Sequence, residues 1–284
     1  MSFKSRMIES LEDRRLLSAN AFVAHGILHV NGAMFNSNTI AVDDNGTAIT
    51  VSIVYTTGLG VTKTLSAPFL KSLGFTEVYI RGGFKADTIK VGQNSTTPFS
   101  IATRVDGLSG ADKITTGAES DTINGGFGSD VISSGDGNDI VRGGFGSDMI
   151  TVGNGNDKVK AGYGFGTNTI MAGNGTDTIV GGQGKDYITV GSGNDFVHGE
   201  AGNDVIIAGN GNDTLMGGLG DDSISAGNGT DTFGGLLGSN TLLGGTGSDT
   251  FIVRRDFPKG QTTSYNPAKD HLEQKKAETP APVV

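Results

Sequence analysis

The chain has 284 residues, enough for one or two domains with their own cores, and its 48 glycines lie far above the usual level near 7%. It holds no Cys, which excludes disulfides, a zinc–thiolate centre and a cysteine nucleophile. A formal charge of −9 argues against nucleic acid or anionic lipid as the main partner, and no run approaches the roughly 18 apolar residues of a membrane span.

Residues 1–20 are charged and apolar in a helix-like spacing, and they lack the apolar stretch of about 7–15 residues that marks a secretory signal peptide. Export is therefore expected to use another route. Leu11-Glu12-Asp13-Arg14, followed by Leu16-Leu17-Ser18, resembles the LEPR-type N-terminal motif of large exported bacterial proteins, with Asp13 standing where that motif has Pro. Residues 21–104 are rich in Val, Ile and Thr, with turn signals at Asn31-Gly32 and Asn45-Gly46, and read as a run of strands forming an N-terminal cap. Within them His25 and His29 are expected to share the face of one strand as solvated residues, and Asn94-Ser95-Thr96 fits a glycosylation sequon that matters only in a suitable host.

Residues 105–253 form a Gly/Asn/Asp-rich array. Aspartates stand nine apart at 112, 121, 130, 139, 148 and 157; after a two-residue insertion the series resumes at 177, 186, 195, 204, 213, 222 and 231 and closes at 249. Asn168 and Asn240 hold two places where the register calls for Asp, and Asp87, in GGFKADTI, begins a similar but isolated unit. Two residues after each array position lies an apolar side chain, from Ile114, Ile123 and Ile132 through to Phe233, Leu242 and Phe251. Stretches such as GGFGSDMITVGNGNDKVK, from residue 143, give the true unit of eighteen residues with two unlike turns, GGxGxD and xGNGND. Residues 254–284 turn polar, gain Pro258, Pro267, Pro280 and Pro282, and read as a disordered tail.

Gly and Asn tolerate positive φ, so six-residue segments rich in them suit turns. The few residues that follow suit a short strand with one face buried. Turn–strand–turn–strand closes one coil in eighteen residues, and the expected fold is all-β: a right-handed parallel β-roll whose coils stack about 4.8 Å apart, with an N-terminal β cap. Stacking also aligns one carboxylate per coil along each edge. Two unit charges at that spacing repel by ~0.9 kcal/mol in water and about 3.5 at an effective dielectric of 20. A hard divalent cation between turns removes the penalty, and carboxylate and carbonyl oxygens suit Ca²⁺ better than Mg²⁺, which demands a stricter octahedron.

With these features the array resembles the RTX, or hemolysin-type, calcium-binding repeat proteins, whose nonapeptide is GGxGxDxUx. The resemblance implies a secreted protein with multiple calcium ions held between neighbouring turns by Asp carboxylates and turn carbonyls. Carried over, the implied ligands on one edge are Asp121, Asp139, Asp157, Asp177, Asp195, Asp213, Asp231 and Asp249. On the other they are Asp112, Asp130, Asp148, Asp186, Asp204 and Asp222. The array departs from the pattern at Asn168, at Asn240 with Leu236 and Leu237 before it, at Glu119 and at Glu200. On the edge that begins at Asp112 the pairs 148/168, 168/186 and 222/240 each lack a carboxylate, so weaker or absent ions are expected there, with a loop bulging at Gly162–Gly166.

Other chemistry finds little support. No GxSxG occurs, and glycine runs of GxGxxG type are not followed by helix-forming segments. An extracellular structural or adhesive module and a domain of a polysaccharide-active enzyme remain; such an enzyme needs paired carboxylates and aromatics on an outer face, whereas outward positions here are mostly Thr, Ser, Val and Met. The first reading is preferred. One sheet is expected to present Val131, Met149, Met171, Tyr187, Val205, Ile207 and Leu243 outward, a stripe suited to self-association or to a sister domain, while the other exposes Arg142, Lys158, Lys160, Phe196 and His198.

Overall fold

A computed structural model describes residues 19–56, 62–93, 99–254, 262–263 and 271–275. The N-terminal motif and the sequon lie outside them.

Alternation of inward Ile or Val with outward Thr, Ser or Lys produces two sheets of thirteen strands each, parallel throughout the array and wound as one right-handed solenoid. The nine-residue register forces this. A strand such as Val131–Ser133 pairs in parallel with Met149–Thr151 eighteen residues later, aligning Ile132 with Ile150; on the opposite sheet Ile140–Phe145 pairs with Lys158–Gly162, aligning Val141 with Val159. Every apolar residue of the nonapeptide column, from Ile114 to Phe251, is buried. The inner face of the strand continues through Val152, Val190, Ala208 and Ala226, also buried. Each fully buried Ile or Val contributes about 1.5–3 kcal/mol, and near the end of the array Phe233 and Phe251 stack in the core with ring centroids 4.6 Å apart.

The cap does more than precede the roll. Asn38–Asp44, Ala48–Thr56 and Thr62–Leu70 form an antiparallel meander turning at Gly46, where φ is 92°. Yet Ile27–Asn31 pairs in parallel with Glu77–Gly83, and that strand with Ala102–Leu108, so the solenoid begins inside the cap and both sheets run unbroken into the array. The expectation for the histidines is corrected. His25 sits with φ 52° in the turn between Asn20–Ala24 and Ile27–Asn31, so it shares no strand face with His29, which stacks on Phe22 at 5.0 Å.

The bulge expected at Gly162–Gly166 is present, and one further difference, at the end of the array, has a simple cause. The insertion before Asn168 is absorbed in the turn alone, leaving Phe165 86% exposed beside Tyr163 while the flanking strands keep register. Beyond Arg254, Thr262–Thr263 and His271–Lys275 add a strand to each sheet, pairing Leu272 with Phe251, so part of the stretch read as tail extends the roll. The last array strands offer unpaired N–H and C=O groups, and an alternating segment such as His271–Lys275 can satisfy them.

Candidate metal-binding edges

Both turn types bend tightly enough for one coil to nest on the next. In the GGxGxD turns Gly144 and Gly146 adopt φ of 120° and 133°, and a Cβ at Gly146 would strike the Gly128 carbonyl one coil away. Leu108 and Glu200 occupy the second-Gly position and keep its left-handed backbone, with φ of 76° and 77°. For residues with a Cβ this conformation costs about 1–2 kcal/mol. Glu200→Gly is accordingly expected to stabilise the calcium-loaded protein by about 1 kcal/mol, read as a higher unfolding midpoint in guanidinium; an unchanged or lower midpoint would refute the strain assignment.

The turns deliver every ladder residue to the interior. All fourteen array aspartates are at most 2% exposed, as are Asn168 and Asn240. Each uses Oδ1 to accept the backbone N–H of its counterpart one coil earlier: Asp130 from Asp112 at 2.8 Å, Asp148 from Asp130 at 2.9 Å, and on the other edge Asp195 from Asp177 and Asp213 from Asp195, both at 2.8 Å. These bonds form two continuous ladders. Asp87 belongs to the first: its N–H donates to Asp112 Oδ1 at 2.7 Å, and Asp87 in turn accepts from Asn38 at 2.6 Å. Sequence separation of 25 hid this, because the segment after Asp87 departs from the nine-residue spacing although the fold does not.

The second oxygens are left over. Oδ2 is buried without a hydrogen-bond partner in Asp112, Asp130, Asp148, Asp157, Asp177, Asp186, Asp195, Asp204, Asp213, Asp222 and Asp231, a state that ordinarily costs several kcal/mol per charged group. Around the first glycine of the GGxGxD turns these oxygens meet carbonyls. A Cβ at Gly125 would strike both Asp130 Oδ2 and the Gly143 carbonyl, and the same convergence recurs at Gly107, Gly143, Gly181 and Gly199. Carboxylate oxygen from one coil and carbonyl oxygen from the next thus face a common space. Among the described residues no three acidic or histidine side chains converge on a point, so an ion held here would draw most of its oxygens from the backbone.

Electrostatics bear the same mark. Burial, chiefly, pushes the Asp112 carboxyl up to about 8, Asp121 and Asp204 to about 7, and Asp148, Asp157, Asp177, Asp186 and Asp213 to about 6, against an ordinary 3.8; hydrogen bonds from the backbone oppose the rise and neighbouring carboxylates add to it. The hydroxyls of Thr116 and Ser134, beside Asp121 and Asp139, hold those two down in part.

The edges are unlike in a way that sequence reasoning missed. Five residues before each Asp stands Gly on the GGxGxD edge; on the other edge the place is held by Thr116, Ser134, Val152, Ala172, Val190, Ala208 or Ala226, whose side chains extend the core, and only Asp249 at the end of the array has a glycine there, Gly244. The second edge compensates outside with exposed amides: Asn174 Nδ2 donates to Asn154 Oδ1 at 2.8 Å and Asn228 Nδ2 to Asn210 Oδ1 at 2.7 Å, the reason Asn recurs in xGNGND. Asn168 and Asn240 remain in the first ladder, their Oδ1 atoms accepting from Asp148 at 2.9 Å and Asp222 at 2.7 Å, so loss of the charge does not break the coil.

The family model described as RTX calcium-binding nonapeptide repeat matches residues 106–141, 133–164, 162–197, 189–224, 198–233 and 234–253, together more than half of the chain. No curated protein matches the sequence.

Proposed function

Since the chain belongs to the RTX calcium-binding nonapeptide repeat family, we propose that it takes up calcium along both edges of the roll, folds on meeting the ion outside the cell, and serves there as a structural or adhesive module rather than as an enzyme. The observation carrying this reading is the row of buried, partnerless Oδ2 atoms, set against carbonyls of the next coil on the GGxGxD edge. Hard anionic and carbonyl oxygens suit Ca²⁺, which takes about 6–8 of them in irregular geometry. When bound, calcium supplies the positive charge that lets adjacent carboxylates stack. Asp112 to Asp222 would hold ions on the first edge and Asp121 to Asp249 on the second; the Oδ1 bonds orient each carboxylate beforehand, and the apolar column behind excludes water.

The external location is inferred from the repeat family, whose members are typically secreted, and an affinity in the 10⁻⁴–10⁻³ M range of extracellular calcium modules is expected. Among the described residues no helix is long and apolar enough to cross a membrane. The reading as a module rather than a carbohydrate-active enzyme draws on the outward strand positions, which are mostly Thr, Ser, Val and Met with few charges.

Equilibrium dialysis against calcium tests the ligand assignment. Asp195→Asn removes one carboxylate between two others and is expected to raise the midpoint about tenfold, roughly 1.4 kcal/mol, whereas Asn240→Ala moves it less than twofold. Equal shifts would show that the ladder carboxylates do not hold the ion.

The adhesive part rests on the second sheet. Val131, Met149, Met171, Tyr187, Ile207 and Leu243 are exposed, Val205 is half-buried, and the other outward positions of those strands are Ser or Thr. Seven strands span about 34 Å at the usual strand spacing, but three residues of width leave well under the roughly 800 Å² per partner of a stable dimer. The face therefore supports weak lateral contact with another copy. Sedimentation in calcium of the wild type beside a Val205→Lys, Ile207→Lys double mutant is expected to find concentration-dependent association in the wild type alone; identical monomeric profiles at tens of micromolar contradict it.

A further inference from the structure

Two junctions on the GGxGxD edge close differently from the rest. Asn168, fully buried, accepts the Asp148 N–H on Oδ1 at 2.9 Å, and its Nδ2 donates to Asp186 Oδ1 at 3.0 Å. A Cβ at Gly162, which pairs with Gly144 of the coil before, would meet this Nδ2 at 3.0 Å and the Gly181 carbonyl at 3.7 Å, whereas a Cβ at Gly125 or Gly199 meets a carboxylate Oδ2 and the carbonyl of the next coil. The amide orientation is fixed by its partners: reversing it would set Oδ1 against a carboxylate oxygen and Nδ2 against an N–H. A donor thus points from one coil to the acidic oxygen of the next, where neighbouring coils have only two sets of oxygens facing each other.

At the cap the same substitution is more complete. Asn38 Nδ2 is held by three oxygens, Asp87 Oδ1 at 2.8 Å and the carbonyls of Asn36 and Ala33 at 3.0 and 3.1 Å, and Asn38 Oδ1 accepts the Ala33 N–H at 2.7 Å. Asp87 Oδ2 accepts the Gly83 N–H at 2.5 Å. Every side-chain polar atom of this pair is satisfied by protein, unlike the eleven partnerless Oδ2 atoms of the array.

We propose that the side-chain amides of Asn38 and Asn168 stand in for calcium at these two junctions, so that the edge carries two separate ion runs, one flanked by Asp87 and Asp148 and one by Asp186 and Asp222, and the Asn38–Asp87 rung inside the cap closes without metal. The physical reason is charge. An N–H between two acceptors supplies the partial positive charge that stacked carboxylates need, at a spacing no ion can share, because a cation placed there would face a donor. The cap then offers a preformed, metal-independent edge on which the first calcium-requiring coil, at Asp112, can stack. This rests on the calcium reading above.

The test uses the full-length chain and calcium alone as probe. Asn168→Asp replaces the donor by an oxygen and is expected to bind at least one more calcium per chain than the wild type by equilibrium dialysis with metal analysis. Hydrogen exchange in EGTA supplies the second measurement: amides of residues 38–44 and 77–91 are expected to stay protected in the wild type and to lose protection in Asn38→Asp until calcium is added. An unchanged ion count in Asn168→Asp, or equal protection of the cap in Asn38→Asp and wild type without calcium, overturns the proposal. If the wild type binds no calcium at all, the reading beneath it fails instead; a calcium-binding wild type with an unresponsive Asn168→Asp condemns this proposal alone.

Discussion

Chelating calcium with EGTA at neutral pH is expected to remove most of the β signal of the roll in circular dichroism, and readdition to restore it cooperatively at roughly 10⁻⁴–10⁻³ M. The scale follows from the ladders. Eleven buried carboxylate oxygens lack any partner, and consecutive carboxylates repel by between ~0.9 and about 3.5 kcal/mol at the strand spacing, depending on the effective dielectric. A domain is stable by only about 5–15 kcal/mol in total, so a few unneutralised junctions suffice to unfold the array. Ordering its glycines costs a further 1–2 kcal/mol per residue. A small residual β signal is expected from the cap, whose antiparallel meander and Asn38–Asp87 junction carry no such debt. An unchanged spectrum in EGTA would contradict this.

Acid should replace calcium in part. The carboxyls of Asp112, Asp121, Asp204 and Asp148 stand at about 8, 7, 7 and 6 in the metal-free roll, against 3.8 when exposed. The folded form therefore binds more protons than the unfolded one between those values. Linkage gives the sign: metal-free stability rises as pH falls from about 8 towards 4 and levels off below it, because a raised carboxyl destabilises the fold only while ionised. With calcium present the dependence reverses, since protons compete for the same oxygens and the calcium midpoint moves upward as pH falls. In EGTA the β signal is expected to be low at pH 8 and to return by about pH 4.5. A calcium-free roll that weakens steadily over that range would show that the buried carboxylates are paired by something other than a cation.

Much of this was legible in the sequence because the coil is short-range in kind: each apolar column residue lies two positions after an Asp, or after Asn168 or Asn240, and eighteen residues later the same environment recurs. The Ile132–Ile150 and Val141–Val159 pairings follow from spacing alone. What could not be read were features set by contacts across irregular segments. Asp87 and Asn38 join the first ladder although 49 residues separate them, since the intervening meander folds outside the stack. His25 reads as a strand residue until its turn, with φ 52°, is seen. The unlike edges were half visible: the GG and xG turns differ in every coil, but that a buried Val or Ala takes the place of Gly beside the carboxylate emerges only from the alternation continuing inward through Val152 and Val190. Asn168 and Asn240 look like lost sites in sequence; in the fold they remain rungs, and Asn168 gains a donor that an Asp lacks.

The most direct measurement is an anomalous difference map from crystals of the full-length protein grown in calcium. The account predicts peaks between successive coils on both edges, adjacent to Asp130, Asp204 and Asp195 Oδ2, with none between Asn168 and Asp186. Calcium-grown crystals with an ordered roll and no density beside those oxygens would contradict it.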